Sequence, residues 1–418
     1  MTSTAPNKSL PSKERQLAVE ILFAAFGGKK LDRAFEDTAA IFENDTKTRL
    51  NQVYNIVYGV ARRHHALTAY IDSKIRDKMP VKAGLILEIA LYELAFNSSS
   101  KAYAVISDAL KLADLLQFTK YKPVINAVLG RFADDIEKGV QLIVAQKQLP
   151  DYIYEEVKKT FGNNAKKVTR SFLNPSPFFL SINTLLIDAE TLVSRFMEQG
   201  IEIEKVEFNG FIGFKTSDNK IFKTPEFEKG FFMIQDLSSQ IAVQLLEPFE
   251  GMKMLDICTA PGGKDISAAI RANDKADITA IDLSASRLLR VHENIKRMNI
   301  KSIKVITADF MEQEFQTESF DRIFLDPPCS ALGVMGRNPD VTWKKSPEAI
   351  KDLSSLQVRM LEKALSLLKK DGKLIYSVCT FTQSETTAVI AQAASKTLYT
   401  LPNEVGMDGL FIAVLEKK

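Results

Sequence analysis

Apolar residues recur at intervals of three and four from residue 12 to about residue 144, as at Leu17, Ile21, Leu22 and Phe26, and again at Val53, Ile56, Val57 and Val60. That spacing predicts amphipathic helices, and no β-type alternation of useful length competes with it. Pro80 can open the most apolar of them, over 81–94, whose lack of a polar face predicts a buried central element. An all-α domain of five to seven helices is expected over 12–145, after a short polar stretch, 1–11, expected to be disordered. A helical connector then runs from Pro150 to about Leu173 and closes at Asn174-Pro175-Ser176-Pro177.

There the period changes. Residues 178–184 and 201–206 read as strands around a helix at 188–199 that Gly200 stops; with 211–215 they form a small α+β module. Residues 230–236 lead into a helix near Leu237. From Met252 onward, apolar strand-like runs at 253–256, 277–281, 303–307, 320–325, 373–378 and 410–415 alternate with helices. Such alternation predicts a mostly parallel sheet covered on both faces. The fold class is multidomain: an all-α domain, a connector and small α+β module over 146–235, and a Rossmann-like α/β domain over 236–418.

Composition and charge set limits. The 418 residues are 45% apolar and 26% charged, ordinary for a globular protein with several cores. The net charge is +3, but residues 1–150 hold 21 basic against 16 acidic side chains, a mild tilt toward a polyanionic partner. No stretch nears the roughly 18 apolar residues of a spanning helix, and the first residues lack an apolar core of signal-peptide length. The chain is therefore expected to be cytoplasmic and away from membranes, and a monomer is expected. Three cysteines, odd in number and far apart, argue against a disulfide scaffold. His64 and His65 are neighbours on one helix and point apart; with His292 they make no metal site, and none is expected.

Each cysteine instead sits in a motif just after a strand-like run. Cys258 begins Cys258-Thr259-Ala260-Pro261-Gly262-Gly263-Lys264, Cys329 ends Asp326-Pro327-Pro328-Cys329, and Cys379 follows Ser377-Val378. In open α/β sheets the residues after the strands reach one edge, where ligands bind. Paired glycines let a backbone approach a ligand and turn into a helix, although the run lacks both the dinucleotide and the P-loop spacing. Asp282 lies about 20 residues further on, where a carboxylate can hold a ribose diol. With Asp256, Asp309 and Asp326, four acids fall at four successive strand ends, the arrangement of a class I S-adenosylmethionine fold.

The prolines after Asp326 hold an extended backbone, fixing a carboxylate beside a thiol. A thiol at this place suits cytosine C5, a poor nucleophile that becomes enamine-like once a thiolate adds at C6. On the residues alone, either Cys329 or Cys379 could supply that thiolate. Cys258 reads as a small buried hydrophobe whose backbone lines the cofactor.

These motifs, together with Arg337-Asn338-Pro339-Asp340, Trp343 and Gln235-Asp236-Leu237-Ser238-Ser239, resemble the NOL/NOP/Sun family of RNA cytosine-5 methyltransferases from about Pro150 onward. Residues 86–94 and 125–129 resemble the NusB-like RNA-binding domain, a combination similar to that of family members acting on 16S ribosomal RNA. The resemblance implies S-adenosyl-L-methionine as cofactor, small-subunit ribosomal RNA as partner, and 5-methylcytosine formed through a cysteine–C6 adduct. By position it implies Cys379 as nucleophile and Cys329 as the group that assists C5 proton removal and enzyme release. Asp326 would meet the N3/N4 edge of the base and Lys264 would polarise the site. Residues 258–264, Asp282, Asp309 and Asp326 would line the cofactor site.

The chain departs from the family at Ser181, Gly336 and Asn338 beside Arg337, Thr386 after Glu385, Glu88, Gly130 and Val414, mostly by loss of basic residues. Another RNA as substrate, or a non-catalytic RNA-binding factor on a relic fold, are the other readings. Because C6 is hidden in a duplex, the target must be single-stranded, looped or flipped. Arg337, Lys344 and Lys345 around Trp343 are expected to hold phosphates and stack a base.

Overall fold

A computed structural model describes residues 12–41, 49–97, 101–391, 396–400 and 405–417; the tail expected to be disordered over 1–11 lies outside them. The chain forms two compact units, Met1–Tyr154 with Asn338–Lys344, and Glu155–Arg337 with Lys345–Lys418.

The first unit packs α1 (Lys13–Phe26), α2 (Leu31–Ile41), α3 (Leu50–Asp72), α4 (Val81–Phe96), α5 (Ala102–Leu115), α6 (Lys122–Asp134) and α7 (Ile136–Ala145). Helix α4 is buried on nearly every side, from Ala83 through Leu94, as its apolar circumference requires. It lies so close to α3 that a Cβ at Gly59 would overlap the Tyr92 ring.

Helix α8 (Asp151–Phe161) carries the boundary, and α9 (Ala165–Ser171) begins the second unit's own elements. A four-stranded antiparallel sheet follows, built from β1 (Phe178–Ile182), β2 (Glu204–Phe208), β3 (Phe211–Thr216) and β4 (Phe232–Ile234) in the order β2-β3-β1-β4. Helices α10 (Ala189–Glu198) and α11 (Pro225–Glu228) lie within this module, and α12 (Leu237–Leu246) leaves it. The sequence reading misses β4, and places the second strand of the module three residues early.

The large sheet is then laid down as β5 (Lys253–Ile257), α13 (Gly263–Arg271), β6 (Asp277–Asp282), α14 (Ala285–Arg297), β7 (Ile303–Thr307) and β8 (Phe320–Leu325). Between β8 and α16 (Pro347–Leu367) the chain departs into the first unit, where Asn338–Lys344 includes the short helix α15 (Val341–Lys344). Strands β9 (Leu368–Val378), β10 (Lys396–Tyr399) and β11 (Phe411–Glu416) complete the order β10-β11-β9-β8-β5-β6-β7. The five strands from β9 to β7 are parallel, and β10 and β11 are antiparallel.

Alternate residues of the central strands feed two cores. Met254, Phe324 and Ile375 join α12 and α13 on one face, while Leu255, Ile257, Ile323, Leu325, Leu374 and Tyr376 join α16 on the other. This two-sided burial is why the strands read as unbroken apolar runs.

Two consequences place a site. The chain runs from β5 outward through β6 to β7, then returns to pair β8 on the other side of β5, which opens a crevice at that switch point. The register sets Ile257 opposite both Ile281 and Leu325, and Leu325 opposite Tyr376. Cys258, Asp282 and Asp326 are the next residues of their strands, so they emerge along one edge.

Candidate active site

The loop after β5 is tied down by its backbone. The N–H groups of Cys258 and Thr259 donate to the Ile281 carbonyl at 2.8 and 3.1 Å, which turns the chain across the end of β6. The Ala260 N–H donates to Asp282 Oδ2 at 3.2 Å, and the other Asp282 oxygen accepts from the Ser284 N–H at 2.9 Å. Gly262 adopts φ +92°, a conformation that L side chains rarely adopt, and starts α13 with Val291 close beneath. Asp265 in the first turn is fully buried, accepts from Thr259 Oγ1 at 3.0 Å, and has its carboxyl pushed up to about 7 by that burial.

Lys264 is on the same turn and crosses to the end of β8, where its Nζ ion-pairs with Asp326 Oδ2. Burial pulls the ammonium's affinity for its proton down, but Asp326, with Asp256 and Cys379 behind it, reverses the direction and leaves it raised. Asp326 is followed by Pro327, Pro328 and Cys329, and β9 ends at Val378 with Cys379 next. The two sulfurs are 3.4 Å apart. The Cys379 thiol is pushed well above the usual cysteine range, first by its hydrogen bond with Cys329 and then by burial, while Lys264 pulls the other way.

Beneath the thiols lies a buried polar network that the sequence reading does not identify. Ser330 and Thr380, each the residue after a cysteine, bring their hydroxyls within 2.7 Å of one another. Glu385, fully buried, accepts from the Ser330 N–H at 2.7 Å, the Ser330 hydroxyl at 2.5 Å and the Thr382 hydroxyl at 2.8 Å. Gln357 of α16 donates to Glu385 Oε1 at 3.2 Å and to the Pro328 carbonyl at 2.9 Å. A polar residue on the buried face of α16 is the one signal that could have revealed this network; Glu385 itself sits in an unremarkable polar run.

The third cysteine differs. Burial first, then Asp326, Asp282 and Asp256, push the Cys258 thiol up to about 12. Asp309, two residues past β7, stays exposed and accepts from the Met311 N–H at 2.8 Å.

A cofactor with a sulfonium and an ammonium group fits this edge. Asp256 is buried within β5 with no hydrogen-bond partner for either oxygen among the described residues. Burial and Asp265 raise its carboxyl well above the ordinary range, a cost that a nearby cation offsets. Asp282 and Asp309, at the next two strand ends, are acceptors suited to a ribose diol and a base amino group.

The loop expected to hold RNA is otherwise engaged. Arg337 donates to Asp408 at 2.7 Å, to Asp236 at 3.0 Å and to the Pro177 carbonyl at 2.9 Å, so its charge is consumed inside the second unit. Lys344 Nζ is held by Asp340 and the Lys29 carbonyl, and Trp343 stacks on Phe26 with ring centroids 4.6 Å apart. These three side chains are internal struts, because each finds a partner remote in sequence. The departures from the family are similarly absorbed: Glu88 pairs with His64 at 2.9 Å, and the Ser181 and Ser267 hydroxyls meet at 3.0 Å. Burial and the adjacent His64 lower His65 to about 4, and among the described residues no group of three or more His, Cys, Asp or Glu could hold a metal.

Comparison with known proteins adds independent findings. Residues 243–399 match the family described as 16S rRNA methyltransferase RsmB/F, and residues 12–134 match the NusB family. A Pasteurella multocida protein named ribosomal RNA small subunit methyltransferase B is 29% identical, over 96% of each chain. A Bacillus subtilis protein named as a probable enzyme of the same kind is 28% identical over 87% of this chain and 89% of its own. Among solved structures, that of PH0851 superposes with a TM-score of 0.80 at 22% identity, covering 98% of this chain and 99% of its own. NSun6 from Pyrococcus horikoshii does so at 0.58 and 22%, covering 64% and 98%.

Proposed function

We propose that this chain, whose residues 243–399 match the 16S rRNA methyltransferase RsmB/F family and whose residues 12–134 match the NusB family, forms 5-methylcytosine in small-subunit ribosomal RNA. The observation that carries the chemistry is the 3.4 Å separation of Cys329 and Cys379 at the ends of adjacent parallel strands. S-adenosyl-L-methionine, when bound at the β5–β7 strand ends, supplies the methyl carbon.

Cys379 adds to C6 of the target cytosine, and the electron pair displaced from the C5–C6 double bond gives C5 its nucleophilic character. Asp326, anchored by Lys264, holds the N3/N4 edge, where charge moves during that addition. After methylation, Cys329 takes the C5 proton, the C5–C6 double bond re-forms and the Cys379–C6 bond breaks. Enclosed donors and carboxylates that need no reorganisation during these steps favour them. The helical unit supports a polyanionic partner. It carries a groove of about 910 Å³ whose charged lining is Lys74, Arg76, Lys78, Lys120, Arg131 and Lys138 against Asp77 and Asp135, and none of these six cations forms an ion pair among the described residues.

Bisulfite sequencing of small-subunit ribosomal RNA from cells with and without the gene tests this reading. One cytosine should change from protected to converted on deletion, and purified protein with S-adenosyl-L-methionine should restore it. An unchanged ribosomal RNA profile, with a lost mark in transfer RNA, would assign the enzyme another substrate.

A further inference from the structure

We propose that Glu385 is a positioning residue that sets the spacing of the two thiols. This rests on the reading that Cys329 and Cys379 act on one base, and it assigns the carboxylate that makes them act together.

Cys329 and Cys379 sit on separate loops, one after β8 and one after β9, and neither loop is held by strand pairing at its tip. A disulfide-free pair of this kind stays together only if something else joins the loops. One joint is a backbone bond, from the Gly333 N–H to the Cys379 carbonyl at 2.9 Å; the side-chain joint, one residue past each sulfur, is the part that Glu385 organises. Glu385 binds the Ser330 backbone N–H with one oxygen and the Ser330 and Thr382 hydroxyls with the other, spanning both loops with a single side chain. The Ser330 and Thr380 hydroxyls, at 2.7 Å, make a direct rung between the same loops. Gln357 braces this arrangement from α16 by holding the Pro328 carbonyl and Glu385 Oε1, and Tyr376 donates to the Glu385 carbonyl at 2.7 Å. Ser330, Gln357, Tyr376 and Glu385 are all fully buried, and every contact to the Glu385 side chain comes from a donor. A network this completely satisfied specifies one geometry.

Glu385 touches neither sulfur, so its effect is read through the pair. A dithiol-selective arsenical, phenylarsine oxide, provides the probe: its arsenic forms one bond to each sulfur while its oxygen leaves with the two thiol protons as water. Capture therefore requires both thiols at short range but neither RNA nor methyl donor. In the full-length protein, Glu385→Ala should slow arsenical capture about tenfold and lower turnover by about a hundredfold, the order expected for reacting groups displaced by about 1 Å. It should also raise the fraction of enzyme left covalently on RNA, because Cys329 is then badly placed for release. Glu385→Gln, which keeps an acceptor for the Ser330 N–H, should recover most of both rates. S-adenosyl-L-methionine affinity should stay within about threefold of the parent, since the β5–β7 ends do not touch Glu385.

Wild-type arsenical capture and adduct level in folded Glu385→Ala would overturn the proposal. Should that variant not fold, Ser330→Ala with Thr382→Val removes two of the donors, and unchanged capture there would overturn it equally. If the parent protein captures arsenical but never methylates RNA, the functional reading fails while the positioning role stands.

Discussion

Cys258 and the Cys329–Cys379 pair occupy equivalent places, each just beyond a central parallel strand, yet their surroundings differ in kind. Burial first, and then the carboxylates of Asp326, Asp282 and Asp256, push Cys258 up to about 12. Cys379 also holds its proton tightly, but the first cause is a second thiol, and Lys264 opposes it. A strand end delivers a thiol to the ligand edge, whereas a partner and a nearby cation give it chemistry to do. One edge thus holds a lone sulfur and a pair of sulfurs 3.4 Å apart, a few residues from the same carboxylates.

The sharpest way to break this contrast is to remove the pair's members separately. Cys379→Ala should lower turnover on the order of 10⁴-fold or more and form no covalent RNA complex. Cys329→Ala should instead accumulate protein–RNA complex that survives denaturing electrophoresis. Exchange of these phenotypes would reverse the two roles, and normal methylation by both variants would remove the basis of the mechanism.

Next in size, Lys264→Met should reduce kcat about a hundredfold, because the half-buried Asp326 loses its counter-ion and Cys379 the cation that favours its thiolate. Single-turnover rates in the parent should still be climbing at about pH 9, since a thiol raised above the usual cysteine range stays mostly protonated below that, and the variant should be slower at every pH. A pH-independent parent rate argues against Cys379 as the group that must ionise.

A subtler test uses the carboxylates common to both environments. Asp265 is pushed up to about 7, so the folded state keeps a proton that the unfolded chain releases nearer pH 4. Its contribution therefore favours folding at low pH and is lost as pH rises toward 7. The urea midpoint of Asp265→Asn should improve relative to the parent as pH goes from about 5 to about 7.5; a gap that narrows or reverses would contradict the burial argument. Smallest of all, Cys258→Ala should change kcat by no more than about threefold, as for replacement of an inert small apolar group. A loss as large as that of Lys264→Met would erase the distinction between the sulfurs.

Much of this architecture is legible in the sequence because two-sided burial makes each parallel strand a continuous apolar run. The runs at 303–307 and 320–325 coincide with β7 and β8, and the motif residues after them reach the edge that the register dictates. Short elements leave weaker traces. Strand β4 has three residues and β10 four at the sheet margin, too few for a period to emerge. Polar struts leave none. Arg337 reads as an RNA ligand because its partners, Asp236 and Asp408, are 101 and 71 residues away, and Trp343 reads as a base platform until Phe26 is found against it. Glu385 is hidden for the same reason, with Ser330 55 residues distant.

Asn338–Lys344 clusters with the helices although it lies between β8 and α16 of the catalytic unit. Leu31 donates its N–H to Asp340 at 3.2 Å and His65 meets Thr342 at the same distance, so these seven residues are stitched into a fold whose other members come from the far end of the gene. The two halves are consequently not interchangeable cassettes. Recombination that swaps the leading domain alone would strand a Trp-bearing insert without its host, so inheritance of the pair should be joint.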